Sequence, residues 1–149
     1  MKILMVCLGN ICRSPMAQGI LEAKISVKKL DWEIDSAGTS GWHEGEGPDK
    51  RAVLSCKKNG VDISKQVSRK ITSYDLDYYD LIFAMDSSNY QDIIKICSNE
   101  IQKSKVKLIL NAKYPGKNMA VPDPYYDDKF EEVFELLNDA MDDVIMALV

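Results

Sequence analysis

The chain is most constrained by its opening segment, in which the apolar run Ile3 to Val6 leads directly into Cys7-Leu8-Gly9-Asn10-Ile11-Cys12-Arg13-Ser14. A short continuous apolar run ending at a glycine-containing turn is the pattern of a parallel strand covered on both faces. The next stretch reads as a helix. Pro15 falls where a first helical turn tolerates it, Ser14 is available as a cap, and Met16, Ile20, Leu21 and Ile25 recur at helical spacing. A parallel strand buried on both sides needs helices above and below its sheet, so this one unit directs the chain toward the α/β class.

The remainder repeats the unit. Trp32 to Ala37 alternates as a second strand, and Gly38, Gly41, Gly45, Gly47 and Pro48 mark a long loop after it. Residues 49–59 read as a helix stopped by Gly60, and Leu81 to Met85 as a third buried strand, followed by a Ser-Ser-Asn start and a helix to Cys97. Val106 to Leu110 is a fourth strand and residues 111–128 form a loop rich in Pro, Asp and Tyr. Phe130 to Leu148 then carries Phe130, Val133, Phe134, Leu137, Met141, Val144, Ile145 and Leu148 on one helical face. The expected fold is a single domain over residues 1–149: a doubly wound, four-stranded parallel sheet with helices on both faces and a phosphate-binding loop after strand 1. Such sheets bind ligands outside the carboxyl ends of their strands, which brings together the loops 7–14, 38–48 and 111–128.

Composition narrows the function. A chain of 149 residues, 46% apolar and 28% charged, is expected to bury one ordinary globular core. No apolar run approaches the ~18 residues of a membrane span, and Gly9, Asn10 and Arg13 interrupt the opening run too soon for a secretory signal. The expected location is therefore cytoplasmic, where Cys7, Cys12, Cys56 and Cys97 stay reduced. These cysteines form no CxxC pair and His43 is the one histidine, so neither a metal nor a cofactor is expected. Residues 123–149 hold nine acids and one lysine, leaving the rest mildly basic within a chain of net charge −4. That balance suits a small anionic substrate. Three arginines, Arg13, Arg51 and Arg69, are too few for a nucleic-acid surface.

The first loop carries the chemistry. Cys7 leaves a strand and Arg13 arrives as a helix begins, so the backbone N–H groups between them can curl around an anion. Gly9 is expected to supply the backbone freedom such a nest needs, and Asn10 to tolerate a left-handed conformation while tying the loop down. Arg13 offers a planar fork for two phosphoryl oxygens, a geometry lysine lacks. The same positive surroundings favour the thiolate form of Cys7, a nucleophile to which the Ser14 hydroxyl can donate. A bare Cys-x5-Arg pattern is common by chance; its strand, loop and helix context is what gives it weight. Cleaving a phosphate ester also needs an acid for the leaving oxygen, and Asp123, held between Pro122 and Pro124 in a loop facing Cys7, is the candidate.

Three segments taken together resemble the low-molecular-weight protein tyrosine phosphatase family across essentially the whole chain. They are Val6 through Ala17, Asp35-Ser36-Ala37-Gly38-Thr39-Ser40-Gly41-Trp42, which is similar to the start of that family's specificity loop, and Asp123-Pro124-Tyr125-Tyr126, which is similar to its general-acid loop. The resemblance implies that Cys7 forms a phosphocysteine, that Arg13 and the backbone of Leu8, Gly9, Asn10, Ile11 and Cys12 hold the phosphoryl oxygens, and that Asp123 acts as acid and then as base. It further implies that Ser14 stabilises the thiolate, that Asn10 and Ser36 position the loop, and that Asp86 partners the arginine. Leu8, Trp42, Tyr125 and Tyr126 would form an apolar slot for the ring of a phosphotyrosine-containing protein or peptide. His43 is expected at the surface with no catalytic task. Cys12 is similar to the second cysteine that, in some relatives, pairs with the oxidised nucleophile as a redox switch.

One departure concerns the outer network: many relatives carry a histidine soon after the glycine matching Gly60, where this chain reads Val61-Asp62-Ile63-Ser64-Lys65-Gln66. Two enzymes on similar folds are rivals. Arsenate reductases use further cysteines after the third strand, where only Cys97 is found. Arginine phosphatases tend to carry threonine where Ile11 stands, and the bulk of Ile11 leaves less room for a guanidinium group. A phosphocysteine carrier is a third alternative, opposed by Asp123, because a carrier must keep its phosphate.

Overall fold

The computed structural model describes residues 1–149. Its strands are β1 (Lys2–Cys7), β2 (Glu33–Gly38), β3 (Leu81–Ala84) and β4 (Val106–Leu108). Its helices are α1 (Arg13–Lys28), α2 (Lys50–Lys58), α3 (Ser73–Tyr78), α4 (Ser87–Ile96), α5 (Glu100–Ser104), α6 (Pro124–Asp127) and α7 (Phe130–Leu148). The strands form one parallel sheet, as the alternation of elements led us to expect, and their order is β2-β1-β3-β4.

Successive residues of a strand point to opposite faces, so the central strand β1 feeds two cores. Ile3, Met5 and Cys7 join the larger one, with side chains of α1, α2 and α7. Leu4 and Val6 join the smaller, with Leu76 of α3 and Ile93 of α4. The stripe on α7 is buried as its spacing predicts, from Phe130 to Ile145. Full burial of a side chain such as Leu137 contributes about 2 kcal/mol.

The boundaries differ from expectation where a local contact overrides pattern. β4 ends at Leu108, and Ile109–Ala112 form a 3-10 turn. Ile109 and Leu110 both enter the larger core, which adjacent strand residues cannot do. Helix α1 starts at Arg13 with no side-chain cap, and Ser14 lies inside its first turn. Helix α4 is capped by Asp86, which accepts from Asn89 N, rather than by the serines. Three helices of six residues or fewer are too short for a periodic signal and are set by their caps: Thr72 with Asp75 for α3, Asn99 for α5 and Asp123 for α6. No helix is long and apolar enough to cross a membrane.

Candidate active site

The loop between β1 and α1 is built with its carbonyls turned outward. Cys7 O accepts from Thr39 N at 2.9 Å, Leu8 O from Ser40 N at 3.0 Å and Ser40 Oγ at 2.9 Å, Gly9 O from Ser68 Oγ at 3.1 Å, and Ile11 O from Asp49 N at 2.8 Å. The N–H groups of Leu8, Gly9, Ile11 and Cys12 have no protein acceptor, which is the arrangement of an anion nest at a helix N-terminus. The left-handed residue is Asn10, at φ 56°. Gly9 is not at positive φ, contrary to the role expected of it. A Cβ there would stand 3.2 Å from His43 Cδ2, a tight contact that the His43 side chain would have to relieve by a few tenths of an ångström.

Cys7 lies at the floor of this nest, 3% exposed. Its sulfur accepts from Asn10 N at 3.3 Å and is 3.1 Å from Ser14 Oγ. Ser14 therefore faces the sulfur and does not cap the helix. Asn10 Nδ2 donates to Ser14 Oγ at 2.8 Å and to Ser36 Oγ at 3.0 Å, and Ser36 Oγ donates to Gln18 Oε1 at 2.7 Å. The expected cluster of Cys7, Asn10, Ser14 and Ser36 is thus one buried network. The thiol of Cys12, also buried, is pushed well above its ordinary value by burial first and by the charge of Asp49 second.

Arg13, 4% exposed, is held from behind: Nη1 donates to Asp86 Oδ2 at 2.7 Å and to Val121 O at 3.0 Å. Burial alone would lower the guanidinium, but the charge of Cys7 and the bond to Asp86, with Asp123 adding to them, outweigh it and hold Arg13 above its ordinary value. The other nitrogen, Nη2, is 3.7 Å from Asp123 Oδ2. Asp123 itself caps α6 by accepting from Tyr125 N at 3.1 Å through Oδ1. It therefore belongs to a helix start and not to a free loop, and Oδ2 is the oxygen that faces Arg13.

These groups meet in one cleft of about 220 Å³, lined by the nest, Arg13, Asp123, Trp42, His43, Tyr125 and Tyr126, a size for one small group. The expected slot is more open than its residues suggested. Leu8 is half-buried, whereas Trp42 is 75% and Tyr126 82% exposed, so the aromatics stand as a rim. His43 lies in the wall beside Trp42, with Nδ1 3.0 Å from Glu46 Oε2. Cys97 is outside the cleft, against the smaller core, and its Sγ donates to Ile93 O at 3.4 Å.

Several further residues hold the site. Gly38, read as a loop marker and as part of the segment similar to the specificity loop, lets the loops meet: a Cβ there would stand 2.7 Å from Leu8 O. Segment 66–71 braces the nest from behind. Gln66 Nε2 donates to Pro15 O at 3.1 Å, Ser68 Oγ to Gly9 O, and Arg69 N to Asn10 Oδ1 at 3.1 Å. A polar side chain of this segment thus reaches the start of α1. Arg51 spans to α6, donating to Asp49, Asp128 Oδ1 and Tyr125 O.

A cysteine beneath an anion nest, with a buried arginine and a carboxylate at its lip on a parallel sheet, defines the class of α/β proteins that hold an oxyanion over a thiol. The chain belongs to the low molecular weight phosphotyrosine protein phosphatase family, whose pattern matches residues 2–149. It is 42% identical over 130 residues to the low molecular weight phosphotyrosine protein phosphatase of Schizosaccharomyces pombe, covering 84% of this chain and 81% of that protein. Among solved structures it is similar to a protein tyrosine phosphatase from Entamoeba histolytica, with a TM-score of 0.92, 38% identity and coverage of 99% and 96% of the two chains. It is also similar to a Drosophila arginine phosphatase, with a TM-score of 0.92, 28% identity and coverage of 99% and 98%.

Proposed function

We propose that the protein hydrolyses phosphotyrosine in proteins and peptides, and small aryl phosphates, through a phosphocysteine on Cys7. The observation that carries this reading is the convergence on one cleft of the Cys7 sulfur, 3.1 Å from Ser14 Oγ, and of Arg13 and Asp123, 3.7 Å apart. The Cys7 thiolate attacks phosphorus while the bond from phosphorus to the tyrosine oxygen breaks, and protonated Asp123 gives its proton to that oxygen. The equatorial oxygens lie against the nest N–H groups and the fork of Arg13. Asp123, now a carboxylate, takes a proton from water as the water oxygen attacks phosphorus, releasing phosphate and regenerating the thiolate. The Entamoeba phosphatase was crystallised with Hepes in its active site; Hepes carries a sulfonate, an oxyanion of the size the nest here would take.

Turnover of phosphotyrosine peptide, phosphoarginine peptide and arsenate by the wild type and Cys7→Ser tests the reading. Phosphotyrosine hydrolysis that vanishes in Cys7→Ser is the expected result, and a wild type inactive on every phosphate ester would refute it. Similarity to the Drosophila protein favours phosphoarginine as the second reading. Ile11 in the cleft wall opposes it by narrowing the space for a guanidinium group. Faster turnover of phosphoarginine than of phosphotyrosine would reassign the enzyme. Cys97 lies outside the cleft, against the smaller core, which opposes arsenate reduction, and a phosphocysteine carrier has no use for the acid at Asp123.

Cys12 supports a redox reading of the same loop. Peroxide converts the Cys7 thiolate to a sulfenic acid, and attack by the Cys12 sulfur forms a disulfide with loss of water. Mass spectrometry after mild peroxide that finds Cys7 sulfinic acid and no Cys7–Cys12 disulfide would dispose of the switch.

A further inference from the structure

The polar side chains around Cys7 are individually undirected. A hydroxyl donates or accepts, and an amide has one end of each kind. A series of such groups acquires a direction only where it meets a group of fixed character. Arg69 N is that group: a backbone N–H only donates, and it is 3.1 Å from the Asn10 side chain. The atom facing it must therefore be Oδ1, which turns Nδ2 toward Ser14 Oγ at 2.8 Å and Ser36 Oγ at 3.0 Å. Ser36 commits its own hydrogen to Gln18 Oε1. Ser14, having accepted from Asn10, has one hydrogen left, with the Cys7 sulfur at 3.1 Å and Ala37 O at 3.4 Å. A thiolate is the nearer acceptor and the charged one, and it receives the stronger bond.

We propose that Arg69 is a positioning residue for the nucleophile: its anchored N–H fixes the Asn10 amide so that Asn10 donates to Ser14 and the Ser14 hydrogen is left for the Cys7 sulfur. The anchoring is done by the side chain. Its guanidinium donates to Asp35 Oδ2 through Nε at 3.2 Å and Nη2 at 3.1 Å, and to Asp75 through Nη1 at 2.9 Å and Nη2 at 3.1 Å. Asp35 lies on β2 immediately before Ser36, and Asp75 is fixed in the capping box of α3. The backbone on either side is tied to the edge of the sheet, with Gly38 N donating to Arg69 O and Ile71 N to Gly38 O, each at 2.8 Å. Released from these ties, Asn10 can turn Oδ1 to Ser14 and take the hydrogen that otherwise reaches sulfur.

The inference rests on reading Cys7 as the nucleophile, but its test does not need turnover. The thiolate has its own ultraviolet absorbance, measurable at neutral pH against Cys7→Ser as a blank. Arg69→Ala is expected to lower that absorbance and to reduce kcat on phosphotyrosine peptide about tenfold with KM little changed, the worth of one hydrogen bond to a charged group. In a Ser14→Ala background, where no hydroxyl is left to orient, Arg69→Ala should cost nothing further in either reading. If Arg69→Ala does not give a cooperative thermal melt, Asp35→Asn, which weakens two of the four guanidinium contacts, takes its place in the same comparison. A folded variant that keeps its full thiolate absorbance, or losses that multiply in the Ser14→Ala background, would overturn the proposal. A wild type inactive on phosphotyrosine whose thiolate still falls with Arg69→Ala would sink the phosphatase reading and leave this one standing.

Discussion

At Asp123 the two carboxylate oxygens have separate duties, Oδ1 capping α6 and Oδ2 facing Arg13 at 3.7 Å. Asparagine caps a helix about as well as aspartate, so Asp123→Asn removes the proton while leaving the helix start in place. The expected result is a fall in turnover of about 10²-fold or more for alkyl phosphates and phosphotyrosine, the usual worth of a general acid, and a much smaller fall for aryl phosphates whose leaving phenolate is already stable. Steady-state rates over a series of leaving groups measure this, and an equal loss across the series would remove Asp123 from the acid role. Asp86 is a different case. It is bonded to Arg13 at 2.7 Å and to Asn89 N at 2.8 Å and does not line the cleft, which suits it to hold the guanidinium rather than to take part in proton transfer.

Helix α6, which Asp123 caps, is only four residues long and owes its position to what lies beside it. Arg51 lies 4.8 Å from the Phe130 ring and 5.5 Å from the Tyr125 ring while it donates to Asp128 Oδ1 at 3.2 Å and Tyr125 O at 3.3 Å. Lysine keeps the charge but not the fork or the stacking, so Arg51→Lys is expected to loosen α6 and lower kcat about fivefold for poor leaving groups, with the rate of Cys7 alkylation by iodoacetamide unchanged. A matching fall in alkylation would mean that Arg51 acts on the nucleophile's loop instead. Such braces mark the boundary of what was legible in the sequence. β1, α1 and α7 carry long apolar patterns, and the loop from Cys7 to Ser14 carries its chemistry in consecutive residues, so both could be read directly. Ser68, Arg69 and Arg51 act across the fold, by bonds to residues 34 to 77 positions away, and no local pattern marks them. The role given to Gly9 failed because the left-handed position of the loop falls on Asn10 instead.

Over the whole molecule, the burial that holds the sheet and helices together also ties stability to pH at the alkaline end. Cys56 is fully buried between α2 and α7, and burial first, with the charge of Glu131 second, raises its thiol from 9.0 to about 12. In the unfolded chain that thiol ionises at its ordinary value. Its contribution is therefore fully present below pH 9.0 and is lost as the pH rises toward about 12, because over that window the unfolded state binds fewer protons than the folded one. The slope is about −1.4 kcal/mol per pH unit for one thiol. Cys12 and Tyr79, both raised mainly by burial, act in the same direction. Cys56→Ala shifts the absolute stability by deleting core volume, but it also deletes one titrating group, so the readout is the slope and not the offset. Unfolding free energies from urea titrations at intervals above pH 9.0 should fall less steeply in the variant, by about 1.4 kcal/mol per pH unit. Parallel lines for the two proteins would mean that the Cys56 thiol already ionises in the folded state at its ordinary value, and that the core around α2 admits water.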